Sequence, residues 1–323
     1  MYNFLPLRTK YIRCIIYQKI ELDKKMDTSM LCNLCPRECN VNRGLGKVGF
    51  CKVPNQIKVS RAALHYWEEP CISGEEGSGT VFFSGCNLGC VYCQNRKIAE
   101  GVCGKEITVD RLAAIFLELQ AQGANNINLV TPSHYVFQII EAIEMAKKDG
   151  LVLPVVYNSS AYEKVDTLKA LEGYVDVYLP DFKYMDDTLA KKYSKADDYS
   201  EIAKSAIAEM VRQVGKPVFN EKEMIVKGVV VRHLVLPGYT EDSKQVIKYL
   251  YETYKNDIYI SILSQFTPLA GLEGYPEINR NITEEEYEEV VDFAIEIGVE
   301  NGFIQEGDVA RESFIPEFDG QGV

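Results

Sequence analysis

The chain has 323 residues, 46% hydrophobic and 25% charged, a balance that suits a soluble globular protein with one large domain and a small appendage. Its net charge of −12 argues against non-specific nucleic-acid binding, which draws its affinity from cations placed on phosphates, and no run of about eighteen uncharged apolar residues is present to cross a bilayer. Ten cysteines in a long chain without a secretory signal point to metal binding or catalysis rather than a disulfide scaffold, and to a cytoplasmic location.

Residues 1–28 read as a basic N-terminal extension, with Met26 and Met30 as alternative starts. Residues 29–72 read as a cysteine-rich metal module, in which Cys32, Cys35, Cys39 and Cys51 follow the spacing C-x2-C-x3-C-x11-C among Pro36, Gly44, Gly46 and Gly49. Four thiolates suit tetrahedral zinc or an auxiliary iron–sulfur cluster, and the ligands alone do not choose between them. Cys14 and Cys71 have no partner set and read as packed thiols, although Cys71 follows the acidic turn Glu68-Glu69-Pro70.

Residues 73–300 alternate strand and helix signals. The expected strands are 80–84, 126–130, 151–157, 174–179, 228–236 and 257–263. Between and after them, helices are expected from a Thr108 cap to Gly123, over 136–148, near 164–171, near 202–214, after Thr240, and from a Thr283/Glu286 capping box. Strands that are apolar nearly throughout, each followed by a helix, imply a buried parallel sheet. Six such units fall short of the eight of a closed barrel, so the expected fold is α/β, a partial (β/α)6 TIM-type barrel carrying the small N-terminal four-cysteine metal module. Residues 301–323 form a closing tail. Reactive groups in such an architecture gather at the C-terminal strand ends.

Directly after the first of these strands, Cys86, Cys90 and Cys93 have the spacing C-x3-C-x2-C. Three thiolates on a four-iron cubane leave one iron open to a small molecule. A structural zinc site would want a fourth ligand, and Cys103 stands within reach in sequence. With Tyr92 in the motif C-x3-C-x-aromatic-C, the segment resembles the signature of the radical S-adenosylmethionine (SAM) superfamily. The wider text EEPCISGEEGSGTVFFSGCNLGCVYCQN resembles the branch related to pyruvate formate-lyase-activating enzymes. The resemblance implies an oxidoreductase that works anaerobically, with a 4Fe-4S cluster and SAM as cofactors. One-electron reduction of SAM would release methionine and a 5′-deoxyadenosyl radical that abstracts hydrogen.

The resemblance also implies SAM ligands at the strand ends. Asp181 and Lys183 in YLPDFKY are similar to the Asp-x-Lys element that approaches the methionine end of SAM, with a surface ion pair as the alternative. Arg232 in VVVRHLVLPG matches the family's arginine, while His233 alternates to the other face and reads as structural. Asn158 and Ser159 stand where activating enzymes carry a longer polar motif, without its aspartate. The usual G-G-E after the second strand is missing. NLVTPSHY replaces it, with Thr131 and Ser133 as candidate partners of the SAM amino group and His134 either a site residue or an element of the helix start. Gln305 and Glu306, after a final apolar pair, are further pocket candidates.

The leading reading is a radical SAM enzyme acting on a protein or peptide, as a glycyl-radical-activating enzyme does, with flavodoxin or ferredoxin as electron donor and no nucleic-acid or membrane partner. The alternatives are a small-metabolite substrate, or a non-catalytic metal-binding docking protein.

Overall fold

The computed structural model describes residues 31–305 and 316–323. The extension at 1–28, Cys14, the alternative starts and Glu306 lie outside the described residues. Residues 31–56 hold turns and a single 3-10 turn, Arg43–Leu45, whose start is capped by the Asn42 side chain and whose end is Gly46.

The sheet begins with β1 (Ile57–His65), a strand that the sequence pattern does not signal. A short helix α1 (Pro70–Ser73) leads into β2 (Ser78–Phe83). After β2 come α2 (Arg96–Ala99), β3 (Lys105–Ile107), α3 (Val109–Ala121), β4 (Ile127–Val130), α4 (Val136–Lys148), β5 (Val155–Ser159), α5 (Val165–Lys169) and β6 (Val177–Pro180). Two helices follow, α6 (Asp187–Ser194) and α7 (Tyr199–Val214), and then β7 (Val218–Phe219), β8 (Ile225–Leu234), α8 (Thr240–Tyr254), β9 (Tyr259–Leu263), α9 (Glu284–Glu296) and β10 (Gly302–Ile304).

The strand order is β10-β9-β8-β6-β5-β4-β2-β1-β3, and every pair from β2 to β10 along this path is parallel. The six strands β2, β4, β5, β6, β8 and β9 each precede a helix, so the partial (β/α)6 architecture holds, with β10 added beside β9. The sheet edges β10 and β3 remain apart in this order. At one edge β1 runs antiparallel to both β2 and β3, so residues 57–65 of the stretch read as a metal module belong to the sheet.

Local signals account for the best-matched helices. Thr108 accepts from the Arg111 N–H at the start of α3, and Leu112, Ile115, Phe116 and Leu119 are buried along its inner stripe. The capping box at Thr283 and Glu286 is formed in full. Three strands differ from expectation at their boundaries. Pro154 and exposed Val152 keep 151–154 outside β5, the turn from Leu171 to Tyr174 delays β6, and β8 starts at Ile225 by pairing with β7. The helices α1, α2 and α6 are too short for their periodicity to stand out.

Side chains alternate across the strands. One face packs against the outer helices, with Tyr157, Tyr178, Val229 and Val231 in the main core. The other face encloses a small plug made by Val156, Val177, Leu179 and Val230 together with Cys71 and Ile72 of α1. Two residues further toward the C-terminal strand ends, the inward positions turn polar: Asn158 on β5, Asp181 just past β6 and Arg232 on β8. Among the described residues no helix is long and apolar enough to cross a membrane.

Candidate functional site

The loop after β2 carries the cysteine triad and is gripped from two sides. Gly85 has a φ of +90°, and a Cβ there would lie 2.6 Å from the Cys51 carbonyl oxygen, so close approach of the N-terminal module requires glycine. Asn87 is buried and donates to the Tyr162 carbonyl at 2.6 Å. On the other side, the Gly89 and Val91 amides donate to the Ser194 and Tyr193 carbonyls at 3.1 and 2.8 Å. The C-terminal end of α6 therefore serves as the docking surface of the triad loop.

Cys86, Cys90 and Cys93 line a cavity of about 250 Å³ over the C-terminal strand ends. Burial, with the charge of Cys90 adding to it, pushes the Cys93 thiol up to about 12, and burial with the charges of Cys90 and Cys93 raises Cys86 as well. Three thiolates facing one another without a cation between them are unfavourable, and an iron cluster's positive charge relieves that repulsion. Among the described residues no three His, Cys, Asp or Glu side chains are placed to share a single metal ion; a four-iron cluster takes each thiolate at a separate corner. The donor set and the shared cavity fit a four-iron cluster that these three thiolates would hold.

Across the cavity lies a charged layer. Arg232 donates from Nε to Asp181 at 2.7 Å, from Nη1 to Glu68 at 2.8 Å and from Nη2 to Asn158 at 2.7 Å. Lys183 completes the quartet by donating to the second Asp181 oxygen at 2.8 Å. Glu68 also accepts from Asn128 at 3.1 Å and Asn158 at 3.2 Å. Burial alone would raise the Asp181 carboxyl, but Arg232 and Lys183 outweigh it and hold the group below its usual range. For Lys183 and Arg232 burial works in the lowering direction, and the neighbouring carboxylates outweigh it so that both stay protonated. Beneath them Glu69 is buried and its carboxyl is raised by desolvation in spite of Arg232.

The structure brings most of the sequence candidates together. Tyr92, Thr131, Asn158, Ser159, Asp181, Lys183 and Arg232 all line the cavity with the triad. Thr131 does so from a left-handed backbone, φ +58°, which is strained for a β-branched residue. Ser133 is absent from the lining. Its buried hydroxyl bonds to Glu163, beneath the loop that follows β5.

His134 is also away from the cavity, and its place is structural. Burial lowers it to about 3, so the ring is neutral and donates from Nε2 to the Ser84 carbonyl at 2.8 Å, while its own carbonyl accepts from Arg43 at 2.6 Å. His233 likewise supports the fold, with Nδ1 donating to the Phe182 carbonyl at 2.7 Å. Gln305 bonds to the Ser264 amide, next to β9. Cys71 lies in the interior plug, as its reading as a packed thiol requires.

The sequence reading left Glu68 out of the site. Its available signal was the Glu68-Glu69-Pro70 turn itself, two adjacent carboxylates leading into an apolar turn, a position that needs a buried cation. The cation is Arg232, 164 positions away in the chain.

The four-cysteine group packs behind the triad loop. Cys35 and Cys51 are buried, and the Cys39 sulfur accepts from the Phe50 amide at 3.2 Å. Burial pushes Cys35 up to about 12, with the charges of Glu163, Cys51 and Cys32 adding to it; burial also raises Cys51, with Cys32 and Cys39 adding. Cys51 thus lies within electrostatic reach of the other three thiols. Arg37 ties this module to the triad loop by donating to the Asn87 carbonyl at 2.9 Å, and to the end of α6 by donating to the Lys195 carbonyl at 2.5 Å.

The chain is similar to known proteins. The chain is 28% identical over 287 residues to the protein MJ0674 of Methanocaldococcus jannaschii, covering 85% of this chain and 77% of that one. It is also 28% identical over 188 residues to the pyruvate formate-lyase-activating enzyme of Clostridium pasteurianum, covering 54% of this chain and 68% of the enzyme. The crystal structure of Streptococcus suis SuiB bound to S-adenosylmethionine is similar at a TM-score of 0.47 and 14% identity, over 69% of this chain and 49% of that one, so the chain spans about half of SuiB. The model of the radical SAM superfamily matches residues 80–250, more than half of the chain and the whole arc from β2 into α8. A cysteine triad at the end of the first parallel strand, opening on a charged cavity inside a partial barrel, is thus accompanied by a match across that barrel: the chain belongs to the radical SAM superfamily, and with it to enzymes that use a 4Fe-4S cluster and S-adenosylmethionine.

Proposed function

We propose that this chain cleaves SAM at a 4Fe-4S cluster held by Cys86, Cys90 and Cys93 in order to abstract hydrogen from a protein or peptide. When bound, the cluster would supply the single electron that reductive cleavage of SAM to methionine and a 5′-deoxyadenosyl radical requires. The observation that carries this reading is the shared cavity, with three thiols on one wall and two cations interleaved with two carboxylates on the other.

Glu68, Asp181, Lys183 and Arg232 together are neutral. A zwitterionic amino-acid end entering among them exchanges partners without leaving net buried charge, whereas an anion or a cation alone would leave one uncompensated. In this reading Arg232 and Lys183 meet the carboxylate of the methionine end, Glu68 and Asp181 meet its ammonium, and Asn158 holds Arg232 in register. Thr131, Ser159 and Tyr92 contribute the remaining walls. The fixed, partly desolvated layer orients the ligand against the triad and keeps competing reactions out.

A polypeptide substrate is supported by the cavity's rim and by the relative from Clostridium pasteurianum. Tyr66 and Trp67 are exposed, and Trp67 also lines the cavity, so the mouth has an apolar aromatic lip of the kind polypeptides cover. A flavodoxin or ferredoxin is the fitting donor. The four-cysteine module is proposed as a closed metal site, zinc or a second cluster, that buttresses the triad loop.

Anaerobic reconstitution followed by dithionite and SAM tests the reading. Release of 5′-deoxyadenosine is the expected result, and none from a fully loaded cluster would sink it. Mass spectrometry of proteins co-purified under turnover then decides on the substrate. An unmodified set, with 5′-deoxyadenosine still formed, overturns the polypeptide assignment.

A further inference from the structure

Cys90 is held by more than its loop. Its sulfur lies 3.0 Å from the Ser194 hydroxyl, at the last residue of α6. The Ser194 oxygen lies 2.8 Å from the Tyr184 hydroxyl, which lies 2.5 Å from that of Tyr92. All three residues are buried, Ser194 and Tyr184 completely, so no solvent competes for these hydroxyls. We infer that this chain of hydroxyls, ending in a hydrogen bond from Ser194 to the Cys90 thiolate, raises the reduction potential of the cluster proposed above.

The direction of the chain follows from chemistry. A thiolate has no proton to give, so Ser194 donates to Cys90. The Ser194 oxygen then accepts from Tyr184, and Tyr184 in turn accepts from Tyr92. The three O–H dipoles align head to tail toward one sulfur, and each polarises the next. Reduction adds negative charge to the cluster and its thiolates, so a fixed donor stabilises the reduced form more than the oxidised one. Hydrogen bonds to cluster sulfurs and exclusion of solvent are two of the levers that set such potentials.

The geometry is also kept in place. The same helix end accepts the Gly89 and Val91 amides, so the triad loop and Ser194 move as one body. The inference explains why tyrosine stands at position 92: phenylalanine would fill the same space, but Tyr184 would lose its donor.

The inference rests on the triad holding a cluster, and the test separates the two claims. The reconstituted full-length protein and its Ser194→Ala, Ser194→Thr, Tyr184→Phe and Tyr92→Phe variants are titrated anaerobically against redox mediators, with the reduced cluster followed by electron paramagnetic resonance and iron content measured on each sample. Ser194→Ala should shift the midpoint to a more negative value, by about tenfold in the reduced-to-oxidised ratio at a fixed donor potential, ~59 mV for one electron. Tyr184→Phe and Tyr92→Phe should shift it the same way by less, and Ser194→Thr, which keeps a hydroxyl, should return it toward the parent. Equal midpoints across the series at equal iron content would overturn the inference while leaving the cluster assignment standing. If Ser194→Ala fails to load, the two phenylalanine variants decide, since neither removes an atom in contact with a triad sulfur. A parent protein with no reducible cluster would refute the functional reading and this inference with it.

Discussion

The two cysteine groups have mirrored spacings at their tight ends, C-x2-C-x3-C in the N-terminal module and C-x3-C-x2-C in the triad, yet the fold uses them differently. The triad stands at the end of a parallel strand, where its thiols open on a cavity faced by two cations and two carboxylates. The module stands in turns behind that loop, with two of its thiols buried and a third bonded to a backbone amide. Spacing marks both as metal-seeking. Position in the fold decides that a small ligand can approach one of them.

The largest expected difference between the groups comes from replacing one cysteine in each. Cys90→Ala should abolish 5′-deoxyadenosine release. Cys51→Ser should keep release per triad-bound cluster while lowering unfolding stability by about 1–3 kcal/mol, because the Cys51 side chain is buried and a hydroxyl there is desolvated. Equal loss of activity from both variants would erase the distinction. Metal analysis sharpens it: about four irons and one zinc per chain, or about eight irons, are the two results that fit a metal-bearing module, and four irons alone would break that part of the proposal.

Next in size is Arg232→Ala, which strands Glu68 without a cation and leaves Asp181 with Lys183 alone. A stability loss of about 3–5 kcal/mol in denaturant titration is expected, with SAM binding weakened by about two orders of magnitude in calorimetry. Glu163 probes the ground between the two groups, since it bonds to Ser133 and its charge acts on Cys35. Its carboxyl is raised from 4.5 to about 7 by burial, against the hydroxyls that lower it. The folded state therefore holds a proton that the unfolded chain loses near pH 4.5. The resulting stability is complete below that pH, falls as pH rises toward 7 and is gone above it. Glu163→Gln should remove this slope, gaining up to about 3 kcal/mol on the parent between pH 4.5 and 8. An unchanged slope would show that Glu163 does not titrate there.

The smallest effect is expected from Glu68→Gln, which keeps the shape and removes one charge from the quartet. SAM affinity should fall about tenfold, or about 1.4 kcal/mol, with the fluorescence of neighbouring Trp67, the chain's single tryptophan, as a direct binding signal. No change in affinity would confine the amino-acid end of SAM to Asp181, Lys183 and Arg232.

Local information accounts for much of the barrel. Helices long enough to show a stripe and a cap, such as α3, α4 and α9, appear where their periodicity and capping residues place them. Helix α6 escaped because eight residues, three of them charged, are too few for an apolar stripe to stand out, yet its last residue touches Cys90. The strand β1 escaped because its sheet partner, β2, is what makes it a strand.

The same division runs through the site. Cysteine spacing, the aromatic Tyr92, Asp181-x-Lys183 and an arginine in an apolar strand are short-range patterns, and a linear reading finds them because their chemistry is written within a few residues. Glu68 meeting Arg232, Ser194 meeting Cys90 and Ser133 turning to Glu163 are pairings across 164, 104 and 30 positions. No local pattern records them, because each depends on which strand ends and helix termini the sheet brings within hydrogen-bond distance. Cysteine spacing marked a metal-seeking triad, and the residues around it carried the resemblance to the radical SAM superfamily. Tertiary packing alone decided which carboxylate faces the arginine, which serine stays out of the cavity, and which hydroxyl reaches the thiolate.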